Sequence, residues 1–374
     1  MAIFSRADNS VLSRWWWTVD KWTLSLLSAI ILMGVFLNFA ASPAVAERIG
    51  LSTFYFVQRH LIILPVAVAA MIGLSLTSQE RIKQIALILF VVSLGLVALT
   101  LGFGMEIKGA RRWLSIGGFS LQPSELLKPA FAVVSAWIFA QKYKVPTFPG
   151  YTIAVGMLVI VLGLLLLQPD LGMSVVITVV FGVQFFLAGL PLSFVMVLML
   201  LGACGLIGAY FIFPHVQKRI DLFLDPSTGD SYQVQKSLNA FREGGFFGVG
   251  PGEGTVKEVI PDVHADFIFA VAGEEFGLIS CLIILLLFAG VVVGGYSRLL
   301  KDKNLFVVLA VAGILSQFGL QALINMASTL NMIPTKGMTL PFISYGGSSL
   351  LALGIGMGFV LALTRKGSTA IRRS

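Results

Sequence analysis

Long apolar runs follow one another along most of the chain, and in most places only a short polar segment separates them. Ile153–Leu167 and Leu278–Val293 are two of these runs. An α-helix crosses the hydrocarbon core of a bilayer with roughly 20 apolar residues, whereas a strand of a membrane β-barrel shows ~10 residues of alternating character. Because the runs are long and do not alternate, they predict membrane-spanning helices.

The composition excludes most other classes of protein. Of the 374 residues, 57% are hydrophobic and 12% are charged, and the mean hydropathy is +0.92. Soluble domains carry about 25% charged residues, so a soluble enzyme and a disordered chain are excluded. A disulfide scaffold is excluded too, because Cys204 and Cys281 both lie inside apolar runs and are interpreted as small core residues.

We therefore predict an all-α, polytopic integral membrane protein with ten transmembrane helices. We place the spans at 22–40, 57–77, 84–103, 124–141, 151–168, 171–190, 192–213, 267–295, 305–326 and 348–364. The predicted organisation is a cytoplasmic N-terminal segment (1–21), a single membrane domain (22–364) and a basic cytoplasmic tail (365–374). A long extracytoplasmic loop, residues 214–266, joins the seventh and eighth helices.

The start of the chain allows a second interpretation, a signal peptide cleaved after Ala44–Ala46. An uncleaved first helix is favoured, because the apolar stretch before that segment is longer than the roughly 7–15 residues of a signal sequence. The tryptophans Trp15–Trp17 and Trp22 are expected to anchor this helix at the membrane interface.

The orientation follows from the distribution of charge. An even number of spans places both termini on one side, and the short segments of that side carry an excess of Lys and Arg, which makes it cytoplasmic. Most acidic residues fall on the other side. The net charge of +8 is thus explained by topology, and it does not indicate a nucleic-acid partner. The basic tail could contact anionic membrane lipid.

Polar residues at membrane depth are energetically unfavourable and usually mark function. Here they concentrate on the predicted outer side, in four regions: Lys108–Gly118 with Gln122–Lys128, Gln168–Gly172, the 214–266 loop, and Pro334–Gly337 with Leu340–Ser349.

The first region suits a phosphate ligand. Arg111 and Arg112 offer forked donors that match phosphate oxygens, and Trp113 beside them could stack on a sugar or lie in the interface. The sequence from Gln122 to Glu125 is typical of a helix start, because an acidic side chain in the first turn is favoured by the helix dipole.

Lys128 lies one turn further into the membrane than Glu125. The two could simply pair at helical spacing, but a lysine at this depth favours a functional role.

The long loop contains a glycine-rich stretch, Gly244–Gly254, which is interpreted as flexible or tightly turned backbone. A dinucleotide fingerprint is excluded, because it needs a preceding strand and a cytoplasmic setting. Tyr232–Arg242 predicts a short amphipathic helix lying at the membrane interface.

The end of the loop supplies the candidate catalytic residue. Asp266 is the last acid before a long apolar helix, where a partly desolvated carboxylate can act as a general base. His264 is a second candidate for that base. A helix N-cap is the structural alternative for Asp266. Glu274 and Glu275 lie deeper, and we expect one of them to pair with a basic residue from another helix.

In this order, six motifs resemble those of the SEDS family (shape, elongation, division and sporulation): Lys108–Trp113, Gln122–Glu125, Gln168–Gly172, His264–Phe269, Gly273–Gly277 and Pro341–Ser349. The resemblance covers nearly the whole chain. Lys336 within Pro334–Gly337 favours the division-type (FtsW-like) members over the elongation-type (RodA-like) members. Asp262 and Ala265 depart from the usual family residues, and neither departure touches Asp266.

The resemblance implies a ten-helix peptidoglycan glycosyltransferase that polymerises lipid II, an undecaprenyl-diphosphate-linked disaccharide-peptide, during cell division. It also implies a class B penicillin-binding transpeptidase and other divisome proteins as partners. The expected location is the bacterial cytoplasmic (inner) membrane at the division septum, and the residue that matches the indispensable acid of the family is Asp266.

Extension of a β-1,4 glycan from an α-linked lipid diphosphate inverts the anomeric centre, so it needs a base and cations for the leaving diphosphate. The hypothesis is that Asp266 is the base. Arg112, Lys128 and Lys336 would hold the diphosphate, with Arg111 in support. Four further residues would shape the polar groove: Gln122, Glu125, Asp170 and Ser344. A divalent cation, Mg²⁺ or Mn²⁺, could assist, although the sequence contains no compact ligand cluster for one.

Two other functions stay open from the sequence. A lipid II flippase would need a polar path across the bilayer, whereas the polar residues cluster on one side. A non-catalytic divisome scaffold would leave the outer cations and Asp266 without a role. Polymerisation accounts for more of the residues than either alternative.

Overall fold

The computed structural model describes residues 10–107, 110–190, 192–225, 232–334 and 337–365. These residues form thirteen α-helices and three short strands. The helices are α1 (Val11–Thr18), α2 (Lys21–Arg48), α3 (Tyr55–Ser75), α4 (Gln79–Phe103), α5 (Pro123–Lys144), α6 (Gly150–Leu167), α7 (Leu171–Leu187), α8 (Leu192–Ile212), α9 (Pro214–Leu224), α10 (Tyr232–Gly244), α11 (Ile268–Leu299), α12 (Leu305–Thr329) and α13 (Gly347–Leu363). The strands are β1 (Met105–Ile107), β2 (Ala110–Ile116) and β3 (Phe119–Leu121).

The helical prediction is confirmed, and a helix overlaps each of the ten predicted spans. Within the described residues, six helices are long and apolar enough to cross a membrane by themselves: α2, α3, α4, α6, α11 and α12. The chain also bends by 98° between Leu200–Ile212 and Val216–Leu224, where α8 meets α9. The count of ten spans stays a prediction.

The largest difference in boundaries is at α2, which runs eight residues beyond the predicted end at 40 and reaches Arg48. Pro43 lies inside the helix. Proline removes one backbone hydrogen bond from a helix but does not end a membrane helix, because neighbouring helices compensate. The helix therefore continues through Pro43 to Arg48.

The core is centred on α12. In its most apolar window 67% of the residues are buried inside the protein, against at most 33% for the other five long apolar helices. The helix packs against α5, α7, α11 and α13. On the other side of α13, Gly354 and Gly358 face α3 so closely that a Cβ atom at Gly358 would lie 2.9 Å from the Met71 carbonyl oxygen. Small residues here permit the close approach of two membrane helices.

The small antiparallel sheet was not expected for an all-α protein. Strand β2 pairs with β1 on one side and with β3 on the other. Gly117 and Gly118, with φ of 57° and 81°, form the turn between β2 and β3. Two consecutive residues with positive φ suit the tight turn of a β-hairpin. The sheet matters because β2 carries Arg111, Arg112 and Trp113.

The predicted helix in the long loop is confirmed as α10. Its buried face consists of Ser237, Ala240 and Gly244, and it packs against α11. A Cβ atom at Gly244 would clash with the Gly273 carbonyl oxygen, so the contact is between backbones. The protein therefore covers one face of α10, and its position at the membrane interface stays a prediction.

The two buried acids of α11 fasten the loop to the helix bundle. Glu274 accepts hydrogen bonds from the backbone N–H groups of Val256 and Lys257 at 2.7 and 2.9 Å. Glu275 forms a buried ion pair with the Lys257 side chain. The expected structural pair is thus confirmed, although its base comes from a short 3₁₀ turn (Val256–Glu258) of the loop and not from another membrane helix.

Candidate active site

A cavity of about 490 Å³ lies where the ends of several helices meet the small sheet and the long loop. Six of the predicted site residues line it: Arg112, Trp113, Gln122, Glu125, Asp170 and Asp266. They come from β2, the start of α5, the turn between α6 and α7, and the end of the loop. These six residues belong to three of the four polar regions seen in the sequence, and Gly337 and Ser348 of the fourth region also line the cavity, so the fold brings all four regions together.

Arg112 holds the turn between α6 and α7. Its Nε donates to the Gln168 carbonyl oxygen at 3.1 Å, and its Nη2 donates to the Pro169 carbonyl oxygen. Its Nη1 lies 3.7 Å from the Asp170 Oδ1 atom. Asp170 also caps α7 by accepting from the Met173 N–H at 3.3 Å. The guanidinium is thereby fixed at the cavity wall while a quarter of its side chain, 25%, stays exposed.

The neighbouring arginine points elsewhere. Arg111 does not line the cavity, and its side chain is 52% exposed and forms an ion pair with Glu106 on β1 at 3.4 Å. Alternation along a strand sends successive side chains to opposite faces, which explains the difference between Arg111 and Arg112. The supporting role of Arg111 stays a prediction without a contact that favours it.

Glu125 and Lys128 form an ion pair across one turn of α5, at 2.9 Å. Glu125 lines the cavity, whereas Lys128 is buried beneath it and donates to the Gln321 Oε1 atom on α12 at 2.9 Å. Pairing at helical spacing is thus present. The paired lysine still lies directly next to the cavity, because its partner Glu125 lines the cavity wall.

Asp266 lies half-buried in the cavity wall just before α11. The N-cap alternative is wrong, because the N-cap position of α11 is Phe267 and carries no side-chain hydrogen bond. A Cβ atom at Gly337 would lie 3.1 Å from the Asp266 Oδ2 atom, so the segment that follows Lys336 passes directly beside the carboxylate. Lys336 itself lies outside the described residues.

Ser344 is buried and does not line the cavity. Its hydroxyl accepts from the Leu340 N–H at 2.8 Å and closes the turn that leads to α13. The next residues do reach the cavity, and Ser348 accepts from the Gln122 N–H at 2.9 Å. This bond joins the start of α13 to the start of α5, so the segment shapes the groove while Ser344 holds the segment.

His264 also lines the cavity and packs against two aromatic rings at tilted angles. Its ring centroid lies 4.2 Å from that of Phe56 and 5.2 Å from that of Tyr345. Burial lowers the pKa of His264 from 6.5 to about 4; Asp262 opposes this effect and Arg48 adds to it, both to a smaller extent. The imidazole is therefore neutral at physiological pH, and it can donate or accept a hydrogen bond there without carrying charge.

Two further arginines line the cavity, and sequence reasoning missed both. Arg59 on α3 lies 4.8 Å from the Tyr55 ring centroid and hydrogen-bonds to the Tyr345 side chain. Burial raises the pKa of Tyr345 and Arg59 partly offsets this, so the phenol stays protonated. A charged residue at the start of an apolar span was the signal that could have singled out Arg59.

Arg219 on α9 is the second missed arginine. It interacts electrostatically with Arg112, Asp266 and Asp170, so a second arginine and two carboxylates of the cavity wall lie within its electrostatic range. Its signal in the sequence was weak, because it is one of several basic residues in a long loop.

The described residues contain no ligand cluster that would support the predicted divalent cation. Among the described residues, no group of three or more His, Cys, Asp and Glu side chains could hold a metal ion. The cavity carboxylates that the ion would use are engaged, since Asp170 faces Arg112 and Glu125 pairs with Lys128. Assistance by Mg²⁺ or Mn²⁺ stays a prediction.

Comparison with known proteins gives a consistent result. The sequence profile of the FtsW/RodA/SpoVE family, described as cell cycle protein, matches residues 21–369. A probable peptidoglycan glycosyltransferase FtsW of Caulobacter vibrioides is 45% identical over 367 residues, which cover 97% of this chain and 93% of the relative. Stage V sporulation protein E of Bacillus subtilis is 33% identical over 93% of this chain and 99% of its own length.

Two solved structures share the fold. One is a chain of a peptidoglycan synthase complex that coordinates polymerization and crosslinking, with a TM-score of 0.77 and 28% identity over 92% of this chain and 97% of that chain. The other is the rod shape determining protein RodA of Thermus thermophilus, with a TM-score of 0.69 and 28% identity over 93% and 97% of the two chains.

Proposed function

The chain belongs to the FtsW/RodA/SpoVE family, and from this membership we propose that it is a peptidoglycan glycosyltransferase of the division type. It is a multi-pass protein of the bacterial inner membrane and polymerises lipid II into glycan strands at the outer face. The observation that carries the proposal is the cavity that Asp266, Arg112 and Arg219 line together, with Arg219 in electrostatic range of the other two.

The reaction needs a base close to cations, and the cavity supplies both. The Asp266 carboxylate takes the proton of the acceptor 4-hydroxyl as that oxygen forms a bond to the anomeric carbon of the donor. The bond from that carbon to the lipid diphosphate breaks, and the configuration inverts. Arg112 and Arg219 stabilise the negative charge that develops on the leaving diphosphate. Lys336, whose chain neighbour Gly337 lies beside Asp266, is proposed to add a third cation.

The remaining predicted residues take supporting roles in this mechanism. Gln122, Glu125, Trp113 and Asp170 line the groove that holds the sugars. Lys128 acts through Glu125, since it lies beneath that carboxylate and balances its charge. A divalent cation bound with the diphosphate would supply further charge neutralisation.

The partners and the orientation are also proposals. A class B penicillin-binding transpeptidase would crosslink the new strand, and a solved relative belongs to a complex that coordinates these two activities. Other divisome proteins would hold the complex at the septum. Both termini would lie in the cytoplasm, and anionic membrane lipid would meet the basic tail.

Polymerisation of lipid II by the purified full chain with its transpeptidase partner tests the proposal. We expect glycan strands from the wild-type protein and none from Asp266→Asn, which keeps the shape of the side chain but is no base. Glycan of wild-type length and rate from Asp266→Asn would overturn the base assignment. Transfer of lipid II across proteoliposome membranes without any polymer would indicate a flippase instead.

A further inference from the structure

One face of α12 carries three buried amide side chains, and two of them, Gln321 and Asn325, are 1% and 0% exposed. They are four residues apart, so they lie on the same face of the helix, one turn from each other. Burial of an amide in a membrane helix is unfavourable unless hydrogen bonds compensate for the lost hydration. Their partners are therefore informative.

Asn325 binds two loop segments at once. Its Nδ2 donates to the Asp266 carbonyl oxygen at 2.9 Å and to the Met338 carbonyl oxygen at 2.6 Å. An amide nitrogen has two N–H donors, and these two bonds use both. One bond holds the residue that we propose as the base. The other holds the segment that follows Lys336 and passes beside the Asp266 carboxylate through Gly337.

Gln321 makes the equivalent connection one turn away. Its Oε1 accepts from the Lys128 Nζ at 2.9 Å, and its Nε2 donates to the Thr339 carbonyl oxygen at 3.1 Å. The two amides thus link four elements of the site to a single rigid helix: the Asp266 turn, the 337–339 segment, the start of α13 through Ser349, and the buried pair of α5.

We propose that Asn325 is a positioning residue, which sets the place of Asp266 relative to the 337–339 segment, and that Gln321 does the same for Lys128. This inference rests on the proposed function. Neither amide lines the cavity, so both act through the residues they hold. A displacement of about 1 Å at a reacting group can lower the rate roughly 100-fold. The gain in rate from holding Asp266 in place can therefore outweigh the energetic cost of burying a polar side chain.

The chain offers a matched control in Gln184 on α7, which is also fully buried. Its Nε2 donates to two backbone carbonyl oxygens, those of Ala132 at 2.6 Å and Leu309 at 3.0 Å. These partners lie on α5 and α12, and neither of them lines the cavity. Gln184 therefore has the same chemistry as Asn325, and it differs in holding helices together away from the site.

The test compares Asn325→Leu and Asn325→Asp with Gln184→Met in lipid II polymerisation by the full chain with its transpeptidase partner. Both Asn325 variants keep the approximate volume and lose the two donors. We expect kcat to fall about 10- to 100-fold, because the base is displaced in the transition state. KM for lipid II should change less than about 3-fold, because the variants leave the contacts that bind the substrate unchanged. Gln184→Met is expected to lower thermal stability and leave kcat within about 3-fold of wild type.

Hydrogen exchange of the full chain in detergent micelles gives a readout independent of turnover. Asn325→Leu should speed exchange in residues 262–268 and 337–340, and Gln184→Met should not. If wild-type protein forms no glycan, the proposed function fails, while the exchange data still report on the constraint. If wild-type protein polymerises and Asn325→Leu matches Gln184→Met in kcat and in exchange of both segments, the positioning role is overturned and the function stands.

Discussion

Replacing Arg111 or Arg112 by Ala, one at a time, separates the roles of two side chains that are adjacent in the sequence. Arg112 donates to the Gln168 and Pro169 carbonyl oxygens and faces Asp170, and it lines the cavity. Arg111 forms an ion pair with Glu106 at 3.4 Å, in which the two side chains are 52% and 59% exposed.

The expected magnitudes differ because the surroundings differ. A hydrogen bond that involves a charged group contributes about 1.5–3 kcal/mol, so the two bonds of Arg112 would contribute roughly 3–6 kcal/mol if fully buried. Partial exposure of the guanidinium lowers this to about 2–4 kcal/mol, since water replaces part of the loss. The same guanidinium is proposed to stabilise the leaving diphosphate, and loss of one such donor costs roughly 100- to 1,000-fold in rate. An exposed pair such as Arg111 with Glu106 contributes about 0.2–1 kcal/mol, or at most about 5-fold.

The assay is the initial rate of lipid II polymerisation at matched protein levels, with thermal unfolding of each variant as the control for folding. We expect Arg112→Ala to lose about 100-fold and Arg111→Ala to stay within about 5-fold of wild type. Arg112→Lys should recover little, because a lysine keeps the charge without the fork that reaches both carbonyl groups. Equal losses for Arg111→Ala and Arg112→Ala would refute the assignment of the two faces of β2.

Three further outcomes follow from the loop and its anchor. Lys257→Met should lower the free energy of unfolding by about 3–5 kcal/mol, because it leaves the Glu275 carboxylate buried without its partner. Adding Glu275→Gln to this variant should restore more than half of the lost free energy. Additive effects of the two substitutions in chemical denaturation would contradict this prediction. Burial lowers the pKa of His264 from 6.5 to about 4. The free energy of unfolding is therefore unaffected by this group above pH 6.5 and falls by roughly 3 kcal/mol as the pH drops from 6.5 through 4. His264→Phe should remove this loss and flatten the acid side of the unfolding profile relative to wild type. Gly248→Ala should destabilise the protein, since φ is 82° and a Cβ atom there would clash with the Glu275 carbonyl oxygen, whereas Gly73→Ala on an open helix face should leave the melting temperature unchanged or higher.

The sequence predicted the helices well because apolar runs of membrane length leave the chain few alternatives. For α6 the predicted range 151–168 differs from the observed Gly150–Leu167 by one residue at each end. The β-hairpin was missed because its strands are short and its turn is marked only by Gly117 and Gly118. Without the hairpin, the alternation that separates Arg112 from Arg111 was also invisible.

The sequence predicted which types of residue form the candidate site, but it did not predict how those residues are arranged. Motif positions identified Asp266 and Arg112, both of which line the cavity. Arg219 was missed because a cation in a long loop has no periodicity that relates it to a distant site. Asn325 was missed because a single amide in an apolar helix does not reveal which carbonyl groups it meets. Contacts of this kind depend on how distant segments pack, and hydrophobic patterns do not contain that information.

The most direct test of the central claim is a cryo-electron microscopy structure of the Asp266→Asn protein in lipid nanodiscs with lipid II bound. The account predicts density for the diphosphate within hydrogen-bonding distance of Arg112 and Arg219, with a saccharide beside residue 266. Diphosphate bound on the opposite side of the membrane, or more than one sugar length from residue 266, would contradict it.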